Sequence, residues 1–110
     1  MLCFKSGHYK GGVEYYLETD QFDFDCLWDV VNRAVCPDSI DKIQITSWTI
    51  ARSFEKDGLH FYIEEFYDDD PSRFTIRLFP FGVHSTDEVK RLSDIVSLIE
   101  SSMSSSPSLQ

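Results

Sequence analysis

The dipeptide Asp57-Gly58, which lies between two runs of alternating apolar and polar residues, constrains the fold more than any other feature of this 110-residue chain. Aspartate followed by glycine favours the two-residue turn of a β-hairpin, because both residue types tolerate the backbone angles that this turn needs. A two-residue turn also sets the register, and here it places Phe54 opposite Phe61. The residues on both sides of the dipeptide are therefore predicted to form an antiparallel hairpin.

A third strand is predicted after this hairpin, so that residues 43–79 form an antiparallel meander. Three consecutive aspartates at residues 68–70, followed by proline and serine, are typical of a solvated turn between the second and third strands. Pairing Tyr67 with Phe74 across this turn sets Glu64 against Arg77. The opposite charges of that pair favour this register.

One face of the meander, the core face, is mostly apolar and is predicted to pack against the rest of the protein. Its apolar residues are Trp48, Ile50, Phe54, Leu59, Phe61, Ile63, Phe74, Ile76 and Leu78. Arg52 and Glu65 lie among them, and we expect these two to form a contact because an unpaired buried charge is costly. A change of phase at Thr46-Ser47 predicts a bulge or bend at the start of the meander.

The residues before the meander predict a hairpin and a helix. Gly11-Gly12 is interpreted as a turn between a strand at residues 2–9 and a second strand that ends near residue 18. Apolar residues then recur at helical spacing until Pro37 follows, which predicts a helix over residues 23–36.

The residues after the meander predict a second helix and a tail. Ser85 and Glu88 have the spacing of a capping box, in which each side chain binds the backbone N–H of the other residue. The serine-rich residues 101–110 are expected to be a disordered tail, which leaves residues 1–100 as a single domain. The expected fold is α+β in the order ββαβββα: a four- to five-stranded antiparallel meander sheet with two helices packed on one face.

Acidic residues outnumber basic ones by nineteen to ten, and the excess lies mainly in residues 14–41 and 55–70. Such a charge distribution attracts cationic surfaces and repels phosphate. The order helix, three strands, helix resembles the double-stranded RNA-binding domain in outline. That family grips phosphates with basic residues at the start of its second helix, where this chain has Ser85-Thr86-Asp87-Glu88. We therefore expect no nucleic-acid partner.

A cytoplasmic setting is expected from the cysteine content and from the apolar pattern. Three cysteines are an odd number, and no apolar signal core follows the first residues. No apolar run approaches the roughly 20 residues that cross a bilayer, so no membrane contact is expected. The spacings of the cysteines and histidines do not match those of zinc sites, and no motif indicates a cofactor or a catalytic centre.

The face opposite the core face, here called the second face, combines aromatic and charged side chains. Tyr62, Phe66 and Phe79 would form an apolar patch that is larger than a solvent-facing sheet needs. Either another element covers this patch, or it is a protein-binding or homodimer face. His60 beside Glu55 or Glu64 has the residue types of an acid–base pair.

The leading interpretation is a small acidic, non-catalytic protein-binding domain, of the inhibitor or immunity type, that neutralises a basic protein partner such as a toxin. The predicted partner-binding residues are Asp57, Asp68, Asp69, Asp70, Tyr62, Glu64, Phe66 and Phe79. One alternative is a dimeric secretion chaperone or adaptor that associates through the second face. The other is a small enzyme or ligand-binding domain that uses His60, Tyr62 and Glu64 in a concave pocket.

Overall fold

The computed structural model describes residues 2–105 of the chain. Its strands are β1 (Lys5–Tyr9), β2 (Gly12–Glu18), β3 (Ser39–Ile40), β4 (Gln44–Ile45), β5 (Thr49–Lys56), β6 (Leu59–Phe66) and β7 (Arg73–Phe79). Its helices are α1 (Phe24–Val35) and α2 (Thr86–Ser105). All strands belong to one sheet in the order β1-β2-β7-β6-β5-β3, and β4 also pairs with β5. The predicted α+β class is confirmed, although the sheet is larger than the four or five strands expected.

The Asp57-Gly58 turn joins β5 to β6 as predicted. Both residues have positive φ angles, 53° and 81°, and Phe54 lies opposite Phe61. These angles are the ones that a two-residue hairpin turn requires, and glycine reaches them at low cost. The register predicted for β5 and β6, the longest strand pair, is therefore confirmed.

The first hairpin turns one residue earlier than predicted. Lys10 and Gly11 form its loop with positive φ angles of 51° and 81°, and Gly12 is the first residue of β2, opposite Tyr9. Gly12 is needed for another reason, because a Cβ atom there would lie 2.0 Å from the carbonyl oxygen of Gly82. The backbone that follows β7 therefore packs directly against the start of β2.

Replacing Gly12 with alanine is expected to cost about 1–3 kcal/mol of folding stability, because the added methyl overlaps a backbone atom that cannot rotate away. Gly7 is the matched control in the same hairpin, since a Cβ there would approach the ring of Tyr16 no closer than 3.4 Å. Gly7→Ala is expected to change stability by less than about 0.5 kcal/mol. Urea unfolding measures both changes, and an equal cost for the two variants would contradict the proposed close packing.

The register between β6 and β7 differs from the prediction by two residues. Phe74 pairs with Glu65 instead of Tyr67, so Tyr62 lies opposite Arg77. The connecting loop has six residues, as the predicted pairing implied, but it covers residues 67–72 instead of 68–73. Because side chains alternate with a period of two, this shift leaves the residues of β6 and β7 on their predicted faces.

The phase change at Thr46-Ser47 is a complete chain reversal rather than a bulge. The backbone N–H of Thr46 donates to the carbonyl oxygen of Thr49 at 2.8 Å, and its side chain contacts the Thr49 hydroxyl at 2.7 Å. This turn allows β4 to fold back along β5, where Ile45 pairs with Ile50. The alternating pattern is broken there because the strand ends and a new one begins.

The core lies between the core face and the two helices. Phe61 and Ile63 from the sheet are fully buried in one cluster with Leu27 of α1 and Leu92 of α2. The prediction that both helices cover the same face is therefore confirmed. In residues 2–105, neither helix is long and apolar enough to cross a membrane.

The predicted contact between Arg52 and Glu65 is wrong, because each side chain interacts with α1 instead. The guanidinium of Arg52 lies 5.1 Å from the ring centre of Trp28, and its Nε is buried without a hydrogen-bond partner among the described residues. The carboxylate of Glu65 lies beside Ser72 and the backbone N–H of Phe24 at the start of α1, and both interactions lower its pKa. The start of a helix offers free N–H groups, so α1 stabilises the charge of this buried acid in part.

Both helices begin with side-chain caps, and the cap of α2 is the capping box that the sequence predicts. Asp23 accepts the N–H of Cys26 at 3.0 Å at the start of α1, and Ser85 and Glu88 form the predicted capping box of α2. α2 continues to Ser105, five residues into the predicted tail, with Met103 buried in the core. The rest of that predicted tail, residues 106–110, lies outside the described residues.

Candidate functional site

The two acidic blocks of the sequence meet at one end of the sheet. β2 pairs with β7, so the residues that follow β2 lie beside the loop between β6 and β7. The backbone N–H of Thr19 donates to the carbonyl oxygen of Ser72 at 3.0 Å, and the N–H of Ser72 donates to the carboxylate of Asp20 at 3.4 Å. Because α1 begins shortly after β2, the acidic residues at its start lie at this end as well.

We define the acidic end as the surface formed by seven exposed carboxylates: Glu18, Asp20, Asp23, Asp25, Asp68, Asp69 and Asp70. Across residues 2–105, none of the seven forms an ion pair. Arg73, which lies opposite Glu18 in register, binds Glu14 on the second face at 3.0 Å. The combined field of these carboxylates favours the approach of a cationic surface.

Several acidic residues elsewhere are neutralised by basic neighbours. Asp57, predicted as a partner contact, lies at the opposite end of β6, where Arg91 of α2 binds it at 2.8 Å. The other such pairs include Arg33–Asp29, Lys56–Asp38 and Lys90–Asp94. The uncompensated charge is therefore concentrated at the acidic end, which contains three of the predicted contact residues, Asp68, Asp69 and Asp70.

Three large apolar side chains are exposed next to these carboxylates. Ile45, Trp48 and Tyr67 are 67, 59 and 41 % exposed, respectively. The hydroxyl of Tyr67 donates to the carbonyl oxygen of Thr46, and its backbone N–H donates to Trp48, which ties the β4–β5 turn to the end of β6. The sequence placed Trp48 on the core face because it keeps phase with Ile50, but Trp48 lies in the turn before β5 begins.

The centre of the second face holds a buried ionic cluster. Arg77 is 6 % exposed, and it contacts Glu14 at 3.2 Å and Glu64 at 3.6 Å. The half-buried Tyr62 donates from its hydroxyl to Glu64 at 3.0 Å. Burial raises the pKa of Glu64, and burial together with the charge of Glu64 raises the pKa of Tyr62 to about 12. The predicted contact residues Tyr62 and Glu64 thus hydrogen-bond to each other, and Glu64 also pairs with Arg77.

Aromatic rings cover this cluster from outside. The guanidinium of Arg77 lies 4.0 Å from the ring centre of Tyr9 and 5.2 Å from that of Phe81. Tyr9 comes from the first hairpin and Phe81 from the residues that follow β7. These elements partly cover the predicted aromatic patch, in which Phe66 is half-buried and Phe79 remains 42 % exposed.

The three residues considered for an enzyme site form two separate hydrogen-bonded pairs, one of which includes Asp41. His60 contacts Asp41 at 3.0 Å, whereas Tyr62 and Glu64 bind each other. Hydrogen bonds from Ser53 and then His60 lower the pKa of Asp41, so this carboxylate is held in its charged form. His60 is therefore part of a surface contact with the loop between β3 and β4.

The cysteines and the acidic residues do not assemble into a metal site within residues 2–105, where no group of three or more possible ligands is arranged to hold an ion. Cys3, Cys26 and Cys36 are free thiols. Partial burial and a hydrogen bond with Asp23 raise the pKa of the Cys26 thiol, which reduces the reactive thiolate fraction.

Comparison with known proteins finds no matching family model and no matching curated protein. The acidic end and its exposed apolar residues are therefore the features on which a functional proposal depends.

Proposed function

We propose that the protein is a small non-catalytic binding protein of the inhibitor or immunity type, and that its acidic end neutralises a basic protein partner. The observation that carries this proposal is the meeting of seven exposed carboxylates, none of them ion-paired within residues 2–105, at one end of the sheet. Keeping like charges together without counter-ions weakens a folded protein, so such a cluster is more readily explained by binding than by folding.

The exposed apolar residues support a protein as the partner. Stable protein interfaces combine a centre of aromatic and aliphatic anchors with a polar rim. Ile45, Trp48 and Tyr67 provide such anchors beside the carboxylates of the acidic end. The charges would then accelerate encounter, and burial of the apolar residues would slow dissociation.

A direct test is to measure binding to the basic proteins encoded by adjacent genes, with calorimetry at several salt concentrations. A one-to-one complex with a basic protein, whose affinity falls as salt rises, is the expected result. An acidic partner, or binding that does not respond to salt, would argue against the proposal. The mass of the free protein in solution separates this proposal from the chaperone hypothesis, because a chaperone of that kind is expected to be a dimer.

Neutralising the acidic end is expected to slow association with that partner by about tenfold or more, because electrostatic steering accelerates association by about 10–10³-fold. The variant replaces four carboxylates with their amides: Asp20, Asp68, Asp69 and Asp70. The matched control replaces four exposed carboxylates elsewhere: Asp29, Glu55, Asp87 and Asp94. Both variants lose the same net charge. Stopped-flow association rates that fall equally for both would show that only net charge matters.

A further inference from the structure

A groove of about 320 Å³, the Glu65 groove, lies at the acidic end between the start of α1 and the β4–β5 hairpin. It is lined by Asp23, Phe24, Asp25, Ile45, Ile50, Glu65 and Tyr67. These residues come from α1 and its cap, from β4, β5 and β6, and from the loop after β6. The groove is therefore formed by elements that are far apart in the sequence.

The charge of the groove is negative. Glu65 is only 6 % exposed, whereas Asp23 and Asp25 are exposed. None of the described residues that line the groove is basic. The N-terminus of α1 contributes roughly half a positive charge, which three carboxylates exceed when ionised. A cation that entered the groove would therefore meet a net negative site.

The walls of the groove are apolar. Phe24, Ile45, Ile50 and Tyr67 supply two aromatic rings and two branched aliphatic side chains. Ile45 and Tyr67 are also the exposed apolar residues of the acidic end. A ligand that suits both the walls and the carboxylates needs an apolar stem and a cationic head, as the long basic side chains of proteins have.

We propose that the Glu65 groove binds an arginine side chain of the basic partner, with the guanidinium at Glu65 and the methylene stem against Ile45 and Tyr67. This inference rests on the proposed function, because the partner supplies the arginine. Arginine is favoured over lysine because a planar guanidinium can bind several carboxylates at once and can stack on an aromatic ring.

The state of Glu65 supports an incoming cation. Burial raises the pKa of Glu65, and the charges of Asp23 and Asp25 raise it further, while hydrogen bonds from Ser72 and the Phe24 N–H lower it. A buried carboxylate is costly to keep charged unless a cation compensates it. A guanidinium in the groove would stabilise the ionised form, so binding and ionisation of Glu65 should favour each other.

The test uses argininamide as the probe and ¹⁵N-labelled full-length protein. Argininamide is expected to shift the amide signals of groove residues such as Ile45, Ile50 and Tyr67 in a saturable manner. Citrullinamide has nearly the same shape and keeps the α-ammonium group, but it carries a neutral urea in place of the guanidinium, and it is expected to cause much smaller shifts. Lysinamide is expected to bind more weakly than argininamide, because it lacks the planar fork.

Two variants that lose one negative charge each locate the binding site. Glu65→Gln is expected to weaken argininamide binding by about tenfold, because it removes a charge-assisted hydrogen bond. Asp68→Asn lies at the acidic end but outside the groove, and it is expected to change affinity by less than about twofold. Ile45→Ser removes an exposed wall residue and should also weaken binding, so the test does not depend on the stability of one variant.

Three outcomes would overturn the inference. They are equal affinities for argininamide and citrullinamide, shifts confined to residues 68–70, or equal losses in Glu65→Gln and Asp68→Asn. If the partner still binds with the expected salt dependence in any of these cases, the proposed function stands and only the groove is rejected. If no basic partner binds the acidic end, the proposed function fails first.

Discussion

Replacing Phe54 with alanine is expected to lower the free energy of unfolding by about 3–5 kcal/mol, the usual cost of removing a buried aromatic side chain. Phe54 is completely buried on the core face. Its ring stacks on Phe61 with 5.3 Å between the centroids and also contacts the ring of Trp28 on α1 at 5.8 Å. The cavity left by alanine would therefore open at the junction of the sheet with the helix.

Phe79→Ala is the matched control, because it removes the same side chain from the second face. Phe79 is 42 % exposed and contacts Phe81 and His60 near the rim of the aromatic cluster. Its loss is expected to cost about 1–2 kcal/mol, less than that of Phe54, because a large part of the side chain already lies in solvent. Urea unfolding of both variants measures the difference. Equal costs would mean that the second face contributes as much to stability as the core face, contrary to the burial pattern.

Local signals in the sequence predicted the hairpins more accurately than longer-range ones. The Asp57-Gly58 turn fixes the Phe54–Phe61 pair through its own backbone angles, so no distant residue is needed. The β6–β7 register has no such tight turn, and the attraction between Glu64 and Arg77 was used instead. That pair does form, at 3.6 Å, but between neighbours that are not directly opposite. Charge attraction therefore indicates proximity without fixing a register.

The acidic end could be predicted only in part, because its assembly depends on a non-local pairing. β2 lies beside β7, which brings Asp20 next to the loop that holds Asp68, Asp69 and Asp70. A count of charges along the chain cannot reveal that Arg91 compensates Asp57 from another element. The sequence therefore predicted the sign of the surface correctly but included residues that the fold neutralises.

The exposed apolar residues were missed because alternation was extended past the end of a strand. Trp48 keeps the phase of the core face, and Ile45 was treated only as a sign of irregular geometry. The turn at Thr46 places both side chains in solvent at the edge of the sheet. A break in the alternation of apolar and polar residues, with isoleucine on one side and tryptophan on the other, is a pattern that indicates a hairpin turn with exposed apolar side chains.

Replacing Arg77 with methionine is expected to cost about 3–5 kcal/mol at neutral pH, because two buried carboxylates would lose their shared cation. Arg77 is 6 % exposed, and Glu14 and Glu64 are 4 and 8 % exposed. Methionine retains an apolar stem under the rings of Tyr9 and Phe81, so the loss reports mainly on charge. Adding Glu14→Gln and Glu64→Gln to this variant is expected to recover much of the stability, because no buried carboxylate would remain without a cation, and Arg73, the other partner of Glu14, is partly exposed to solvent.

The pH dependence of the Arg77→Met variant tests the same cluster independently. Burial raises the pKa of Glu64 in the intact protein, and the charge of Arg77 opposes that rise, so removing Arg77 should raise the pKa further. A glutamate whose pKa is higher in the folded state binds more protons there than in the unfolded chain. Its ionisation therefore opposes folding above the folded-state pKa, and stability is regained as the pH falls towards the ordinary glutamate value.

The stability gap between the wild-type protein and Arg77→Met should consequently narrow in mildly acidic solution. Other acids, such as Asp41 and Glu88, have lowered pKa values, so both proteins lose stability as the pH decreases. Subtracting the wild-type free energy of unfolding at each pH removes these shared contributions. Adding Glu64→Gln to Arg77→Met should abolish most of the narrowing, because glutamine does not titrate. Urea unfolding midpoints at neutral and mildly acidic pH measure the gap. A gap that stays constant would mean that water reaches Glu64 once Arg77 is removed, and that the cluster is not a closed ionic unit.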